Sequence, residues 1–469
     1  MLKRILILLL AVLTFSCTSK DSLPNIVLIL ADDMGYGDPS CYNPDSKIST
    51  PAIDQLAENG MRFTNVHSPA AWCTPSRYGL LTGKYPARIN IGLARKQCLI
   101  ENEQINLASL LQSKGYFTAC IGKWHLGFDS VNYQTGITGG PVDRGFDYYF
   151  GIPVSLDIPP YYYIENDHCI EAPTDSIGPS NTQGVSFVQG AFWRKGMIAP
   201  SFSHKQVLPD LTSKAIETIQ DHTDNNPDTP FFLYFALPGP HTPWLPTDEF
   251  DGKSKAGMYG DFVMQVDNTV SQVISTLEKL QITDNTLVIF SSDNGPVWFD
   301  EDIQNYQHKS TYFLKGIKSD MWEGGHRMPF VVQWPNKTPK GSSSSELLGF
   351  TDVIATIAEL TATDISSQDL DSHSFLPVIQ GDNYQSPIRQ ELIIDKNTII
   401  TKEWKFINGH GGDGFNRAYS LSKERFTNLP RNVGELYQIN LDSTESNNLY
   451  SEKPDLVNEL KEKLNSVLK

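Results

Sequence analysis

Four apolar runs constrain this chain more than any other feature: residues 25–30, 117–121, 231–237 and 286–291. They carry almost no polar alternation, which is the pattern of parallel strands buried on both faces. Amphipathic stretches lie between them. Thr50-Pro51 opens a helix that runs through Glu58 and stops at Asn59-Gly60. Residues 107–114 and 208–220 read as two more, and 262–280 has apolar positions three and four apart. Strands alternating with helices predict an α/β fold, a large mostly parallel sheet flanked by helices. A further apolar stretch at 330–334 leads into a polar linker, 340–345, and a helix near 351–360. From about residue 386 the character changes. Two-period stretches at 391–394 and 402–407 predict a small antiparallel sheet, closed by a helix over 453–468. The expected organisation is therefore a main domain over 24–385 and a C-terminal subdomain over 386–469.

Each apolar run ends in polar residues. The four lead respectively into Asp32-Asp33, Lys123-Trp124-His125, His241 and Asp293-Asn294. Ligands of open α/β sheets bind at the C-terminal ends of the strands, so these residues are expected to converge. Asp32, Asp33, Asp293 and Asn294 offer only hard oxygen donors, which suit calcium or magnesium and not zinc or copper. One acidic pair alone reads as a turn or a helix cap. Two pairs, each ending a buried strand, favour an ion. Arg77, Lys123, His125, His241 and Lys318 are the cations available to it. Singly, each reads as a solvated surface charge. Grouped with a divalent ion, they would bind a tetrahedral oxyanion and stabilise charge developing in transfer, which points to sulfuryl or phosphoryl ester hydrolysis.

Cys73, Pro75 and Arg77 form C-x-P-x-R. Proline disfavours helix in the residue before it, so the chain entering Pro75 reads as extended or turning, and Pro75 is well placed to open a helix through Leu81. Cys73 would then lie at the electropositive end of that helix beside a guanidinium, a place that suits an anion and a nucleophile. A buried, inert thiol is the alternative.

The string CTPSRYGLLTG from Cys73 resembles the signature of the type I sulfatases. So do NIVLILADDMGYGD from Asn25, GKWHLG from Gly122, PGPHTPW from Pro238, SSDNG from Ser291, and LKGIKSDMWEGGHRMP from Leu314. The likeness runs in family order over nearly the whole chain beyond the leader. It implies an alkaline-phosphatase-like fold and the oxidation of Cys73 to formylglycine by a formylglycine-generating or anaerobic maturation enzyme. It also implies calcium, with magnesium second, held by Asp32, Asp33, Asp293, Asn294 and the modified Cys73. Arg77 would anchor the hydrated aldehyde, while Lys123 and Lys318 would grip the sulfate. His241 would protonate the leaving alcohol with help from Lys318, and His125 would be the base that releases sulfate. Ser155 matches a serine near the sulfate in some relatives. The expected substrate is a sulfated carbohydrate. Two alternatives stay open: a phosphonate or phosphodiester hydrolase of the same superfamily, which also carries C-x-P-x-R, and a non-catalytic glycan-binding lipoprotein.

Composition bounds the partners. A net charge of -16 over 469 residues argues against nucleic acid, and places any anionic substrate against the overall field. Met1-Leu2-Lys3-Arg4 and the short apolar run behind it resemble a lipoprotein signal of residues 1–17, ending at a lipidated Cys17. That implies an exported protein, periplasmic or at the cell surface of a Gram-negative bacterium, touching membrane only through its lipid. Simple cleavage is the alternative. Cys41, Cys98, Cys120 and Cys169 contain no close C-x-x-C pair and so no zinc site; Cys120 reads as a buried thiol, with a disulfide among the others left open. The region 128–204 is rich in Gly, Pro and aromatics, including Tyr148-Tyr149-Phe150 and Tyr161-Tyr162-Tyr163. Sugar stacking and a satellite core are both open readings there.

Overall fold

The computed structural model describes residues 23–181, 186–419 and 434–469; the leader and Cys17 lie outside them. An eleven-stranded sheet forms the frame. Its main strands are β1 (Asn25–Asp32), β2 (Met61–His67), β3 (Phe117–Lys123), β4 (Tyr148–Ile152), β5 (Phe231–Pro240), β6 (Thr286–Ser292), β7 (Arg327–Gln333) and β8 (Ser342–Ser344). Their spatial order is β8-β2-β7-β6-β1-β5-β3-β4. The five from β6 to β4 run parallel, while β7 lies antiparallel to both β6 and β2. Every residue of β1, β5 and β6 is buried, as their unbroken apolar pattern requires.

The helices are α1 (Pro51–Asn59), α2 (Cys73–Thr82), α3 (Leu107–Gln112), α4 (Val207–Asn225), α5 (Gly257–Lys279) and α6 (Asp352–Leu360). One packed group contains α1, α4 and α5; another contains α2, α3 and α6. Register matters more than length for the site. Ala31 pairs with Ser292 and Asp32 with Pro240, while Gly122 pairs with Ala236, so the polar tails of four strands emerge side by side. Gly122 is needed there: its φ is 117°, and a Cβ would lie 1.9 Å from the Ala236 carbonyl oxygen.

The C-terminal sheet contains β9 (Glu391–Ile394), β10 (Thr398–Thr401), β11 (Lys405–Ile407) and β12 (Glu435–Tyr437), all antiparallel, with α7 (Pro454–Val467) packed on β10 and β11. Its apolar cluster also takes in Ala71, Tyr85, Met321 and Trp322. The C-terminal sheet therefore backs the two segments that carry Cys73 and Lys318.

Three sequence expectations need correction, and one open reading closes. Helix α2 starts at Cys73 rather than Pro75, because proline fits anywhere in a first turn, where its missing N–H has no partner to lose. The supposed linker at 340–345 contributes the edge strand β8, whose backbone pairs with β2 although its side chains are all serine. Residues 402–407 are not one strand: the Thr401 N–H donates to the Trp404 carbonyl at 2.7 Å, making a turn between β10 and β11. The aromatic runs of 128–204 are core. Tyr148-Tyr149-Phe150 lie in β4, and Tyr149, Phe150, Tyr161 and Tyr162 are buried. Phe150 stacks on Tyr163 at 5.4 Å. Cys41, Cys73, Cys98, Cys120 and Cys169 are all free thiols, Cys120 fully buried as expected. Among the described residues no helix is long and apolar enough to cross a membrane.

Candidate active site

The strand ends meet as the sequence predicts. Asp32 ends β1, and Asp33 comes next with φ of 65°. In a continuing strand, neighbouring side chains would point to opposite faces. The left-handed residue breaks that alternation, so carboxylate oxygens of both Asp32 and Asp33 lie within 4.8 Å of each other and of a His241 ring nitrogen. Cys73 Sγ shares a second such group with Asp32 and Asp293.

Cations fill much of the space between these acids. Arg77 donates from Nε and Nη2 to Asp293 Oδ2, at 3.0 and 2.8 Å, and from Nη1 to the Lys123 carbonyl at 3.0 Å. Lys123 Nζ pairs with Asp32. Lys318 Nζ donates to both Asp33 oxygens, at 2.6 and 2.8 Å. Its loop is tied to the Cys73 loop, since the Ser319 N–H donates to the Ala71 carbonyl at 2.7 Å. Asn294 Nδ2 donates to Asp33 Oδ1 at 2.6 Å. His241 Nδ1 meets the Thr242 carbonyl at 2.6 Å, which leaves Nε2 facing Asp33 Oδ2 at 3.7 Å. Relative exposure orients the cluster. Arg77, Lys123 and Asp293 are at 0 %, whereas Cys73, Lys318 and His241 keep 5–8 %, so the latter three form the side that a substrate meets.

Two buried oxygens, Asp32 Oδ1 and Asn294 Oδ1, have no hydrogen-bond partner. Unpaired buried acceptors are rare and costly. An all-oxygen set with two free acceptors fits a hard divalent cation held by Asp32, Asp33, Asp293 and Asn294.

Electrostatics assign protonation states. Burial works against ionising Asp32, but Lys123, His241, Arg77 and Lys318 overcome it and hold the carboxyl far below its ordinary range. Burial and the neighbouring Asp32 push Asp293 up. Burial also raises the Cys73 thiol, so an unmodified cysteine here is a poor thiolate nucleophile. His125, at the end of β3, has φ of 60° and donates its backbone N–H to the Pro153 carbonyl at 3.0 Å. Burial, with Lys123 and Arg77 nearby, depresses its imidazole well below the usual value, so the ring is neutral. Ser155 is buried on the loop after β4, two residues beyond Pro153; nothing in the geometry ties its hydroxyl to the cluster. Sequence reasoning missed Phe415, whose ring lies 5.8 Å from Lys318 Nζ, and gave Asp38 and Tyr259 no role. Phe415 sits alone in a polar stretch and carries no pattern that would have flagged it.

A second buried group also gathers metal-type donors: His67, His326 and Glu323. Lys405 fills it. Its Nζ lies 2.9 Å from Glu323 Oε1, 3.0 Å from His326 Nε2 and 2.8 Å from Glu445 Oε1.

A cluster of carboxylates and fixed cations at the strand ends of such a sheet suits hydrolysis of an oxyanion ester. Comparison with known proteins narrows this to one family. The sulfatase family model matches residues 24–363, and the model for the C-terminal part of N-sulphoglucosamine sulphohydrolase matches 312–469. An N-acetylgalactosamine-6-O-sulfatase of Bacteroides thetaiotaomicron is 33% identical, over 95% of this chain and 93% of its own. Human arylsulfatase A is 33% identical, over 76% of this chain and 68% of its own. A protein solved in work on glycosaminoglycan metabolism by Bacteroides thetaiotaomicron superimposes with a TM-score of 0.82 at 31% identity, covering 95% of this chain and 99% of that one. The chain belongs to the sulfatase family and is a sulfuric ester hydrolase.

Proposed function

We propose that the protein hydrolyses the sulfate ester of a sulfated carbohydrate, with calcium and with a formylglycine made from Cys73. The observation that carries this is the placing of Cys73 against Asp32 and Asp293, with two unpartnered buried oxygens beside it. A hydrated formylglycine would supply a nucleophile that a buried thiol lacks. Asp32, Asp33, Asp293 and Asn294 would hold the ion, with magnesium the second choice. Arg77, locked on Asp293, orients residue 73 from the adjacent turn of α2. Lys123 and Lys318, already fixed on Asp32 and Asp33, meet the sulfate oxygens and favour charge gathering there. His241, with Nε2 3.7 Å from Asp33 Oδ2, gives its proton to the leaving alcohol. His125, neutral in the folded chain, takes the proton when sulfate is released. Ser155 is assigned to the edge of the sulfate subsite on sequence likeness alone.

The relatives named above make N-acetylgalactosamine 6-sulfate the first substrate to test. The leader pattern supports export and a lipid anchor at Cys17, and Cys73 requires a maturation enzyme in the host. The experiment is turnover of defined sulfated mono- and disaccharides beside a phosphodiester, on chelated and calcium-restored protein, with mass spectrometry of the peptide containing Cys73. Sulfate release that is lost on chelation and restored by calcium is expected. Turnover of the phosphodiester alone, or a fully unconverted Cys73 in active protein, would overturn the reading.

A further inference from the structure

We propose that Tyr259 and Asp38 are positioning residues: they lock Asp33 in its left-handed conformation and thereby set the affinity of the strand-end pocket for its cation. The inference rests on the cation reading above and adds the device that makes two adjacent aspartates converge.

A non-glycine residue at positive φ is held against a penalty of about 1–2 kcal/mol, so something must fix it. Here the turn after β1 is fastened by Asp38. Its Oδ2 accepts the Tyr259 hydroxyl and, at 2.6 Å, the Gly35 N–H, while its Oδ1 lies 2.8 Å from His308 Nε2. Three contacts on one buried carboxylate hold it in the turn. The Tyr259 hydroxyl proton is shared with the Asp33 carbonyl, 3.2 Å away, as the longer arm of a three-centre contact. It therefore bridges the two ends of the turn, the left-handed residue and its clamp.

The parts around this bridge are rigid. Tyr259 comes from the first turn of α5, and its ring sits 4.9 Å from Trp298 and 5.3 Å from Trp244. Burial and the Asp38 charge raise its hydroxyl well above the ordinary tyrosine value, so it remains a donor at any working pH. Ser310 closes the other side. Its carbonyl accepts the Gly37 N–H at 2.6 Å, and a Cβ at Gly35 would lie 2.1 Å from the same oxygen. No side chain but hydrogen fits at 35, which keeps the turn pressed against Tyr259.

With this brace, Asp33 cannot relax into the extended form that would carry its carboxylate to the opposite face. Without the hydroxyl, Asp38 keeps its Gly35 and His308 partners but loses its hold on Asp33. Partners of this kind typically account for 10- to 100-fold in metal affinity.

The test is calorimetric titration of calcium into the full chain for wild type, Tyr259→Phe and Asp38→Asn. Tyr42→Phe serves as control, because its ring packs on Tyr36 at 4.8 Å but its hydroxyl meets the Phe63 and Phe330 carbonyls rather than residues 33–38. We expect Tyr259→Phe to weaken calcium binding about 10- to 100-fold, Asp38→Asn to weaken it at least as much, and Tyr42→Phe to lower thermal stability with affinity unchanged. Unaltered affinity in folded Tyr259→Phe, or equal losses in Tyr42→Phe, would overturn the positioning role. If Tyr259→Phe does not fold, unaltered affinity in folded Asp38→Asn overturns it instead. A wild type that binds no calcium would overturn the underlying reading of the pocket as well.

Discussion

At the strand ends, Asp32, Asp33 and Asp293 face Arg77, Lys123 and Lys318; alongside β2 and β7, Glu323 and Glu445 face Lys405, between His67 and His326. Both clusters are dry, and both combine histidine, carboxylate and lysine. The difference lies in what is left over. In the first, two acceptor oxygens have no donor and three functional side chains keep a sliver of exposure. In the second, each basic nitrogen has a partner, and Glu445 Oε1, which accepts no hydrogen bond, still lies 2.8 Å from the Lys405 ammonium. His67 Nε2 meets Asn65 Oδ1 at 2.9 Å, His67 Nδ1 meets His326 Nδ1 at 3.0 Å, and Lys405 Nζ meets His326 Nε2. That chain assigns one proton per contact and leaves the histidines neutral. Lys405 occupies the place a metal would take. A donor set therefore says little until its own cations are counted. The first cluster is the one we propose as the reaction site, and the second fastens β11 of the C-terminal sheet to β2 and the turn before β7.

Substitutions should separate the two. The largest effect is expected for Cys73→Ser in a host whose maturation enzyme requires cysteine: turnover falls by at least about 10³-fold while thermal stability and calcium binding stay near wild type. Near-normal turnover in that variant would remove Cys73 as the source of the nucleophile. Next comes His241→Ala, expected to lose ~10² to 10⁴-fold on an alkyl sugar sulfate and much less on an activated aryl sulfate, whose leaving group needs no proton. Equal losses on the two substrates would exclude the acid role.

Lys405→Met should act in the opposite sense. It strands the buried Glu323 and Glu445, so stability drops by about 3–5 kcal/mol, while kcat/KM of the molecules still folded is unchanged. A selective loss of turnover without loss of stability would erase the distinction between the clusters. The smallest effect concerns pH. Burial, aided by Arg327 and Lys405 against Glu323, holds His67 down to about 3. The unfolded chain takes up that proton near pH 6.5 and the folded chain does not, so stability falls as pH drops below 6.5, by about 1.4 kcal/mol per unit. Glu445, raised to about 7 by burial, has the opposite slope between about 4.5 and 7. Denaturant titrations from pH 7 to 5 should thus compare wild type with His67→Gln, whose stability should shift in its favour relative to wild type by about 1.4 kcal/mol per unit below pH 6.5. Parallel curves would mean that folded His67 takes up its proton as the unfolded chain does.

The parallel strands were legible because burial on both faces imposes an unbroken apolar run, and the strand-end rule then brought Asp32, Lys123, His241 and Asp293 together. Strands that owe their existence to a neighbour's backbone were not. All-serine β8 looks like a linker until β2 lies beside it, and Tyr148 to Phe150 fit a sugar platform as well as a core until they pair with β3 in the sheet. Within the site, the sequence determined which groups are present: hard oxygens, fixed cations, two histidines and one cysteine in a C-x-P-x-R setting. Only the tertiary structure decided their use. Register aligned the strand ends, a left-handed Asp33 turned a neighbouring pair into convergent carboxylates, and Tyr259, more than 220 residues from that turn, reaches its carbonyl. Local residue patterns specify chemistry and period, whereas convergence depends on contacts between segments that no local pattern records.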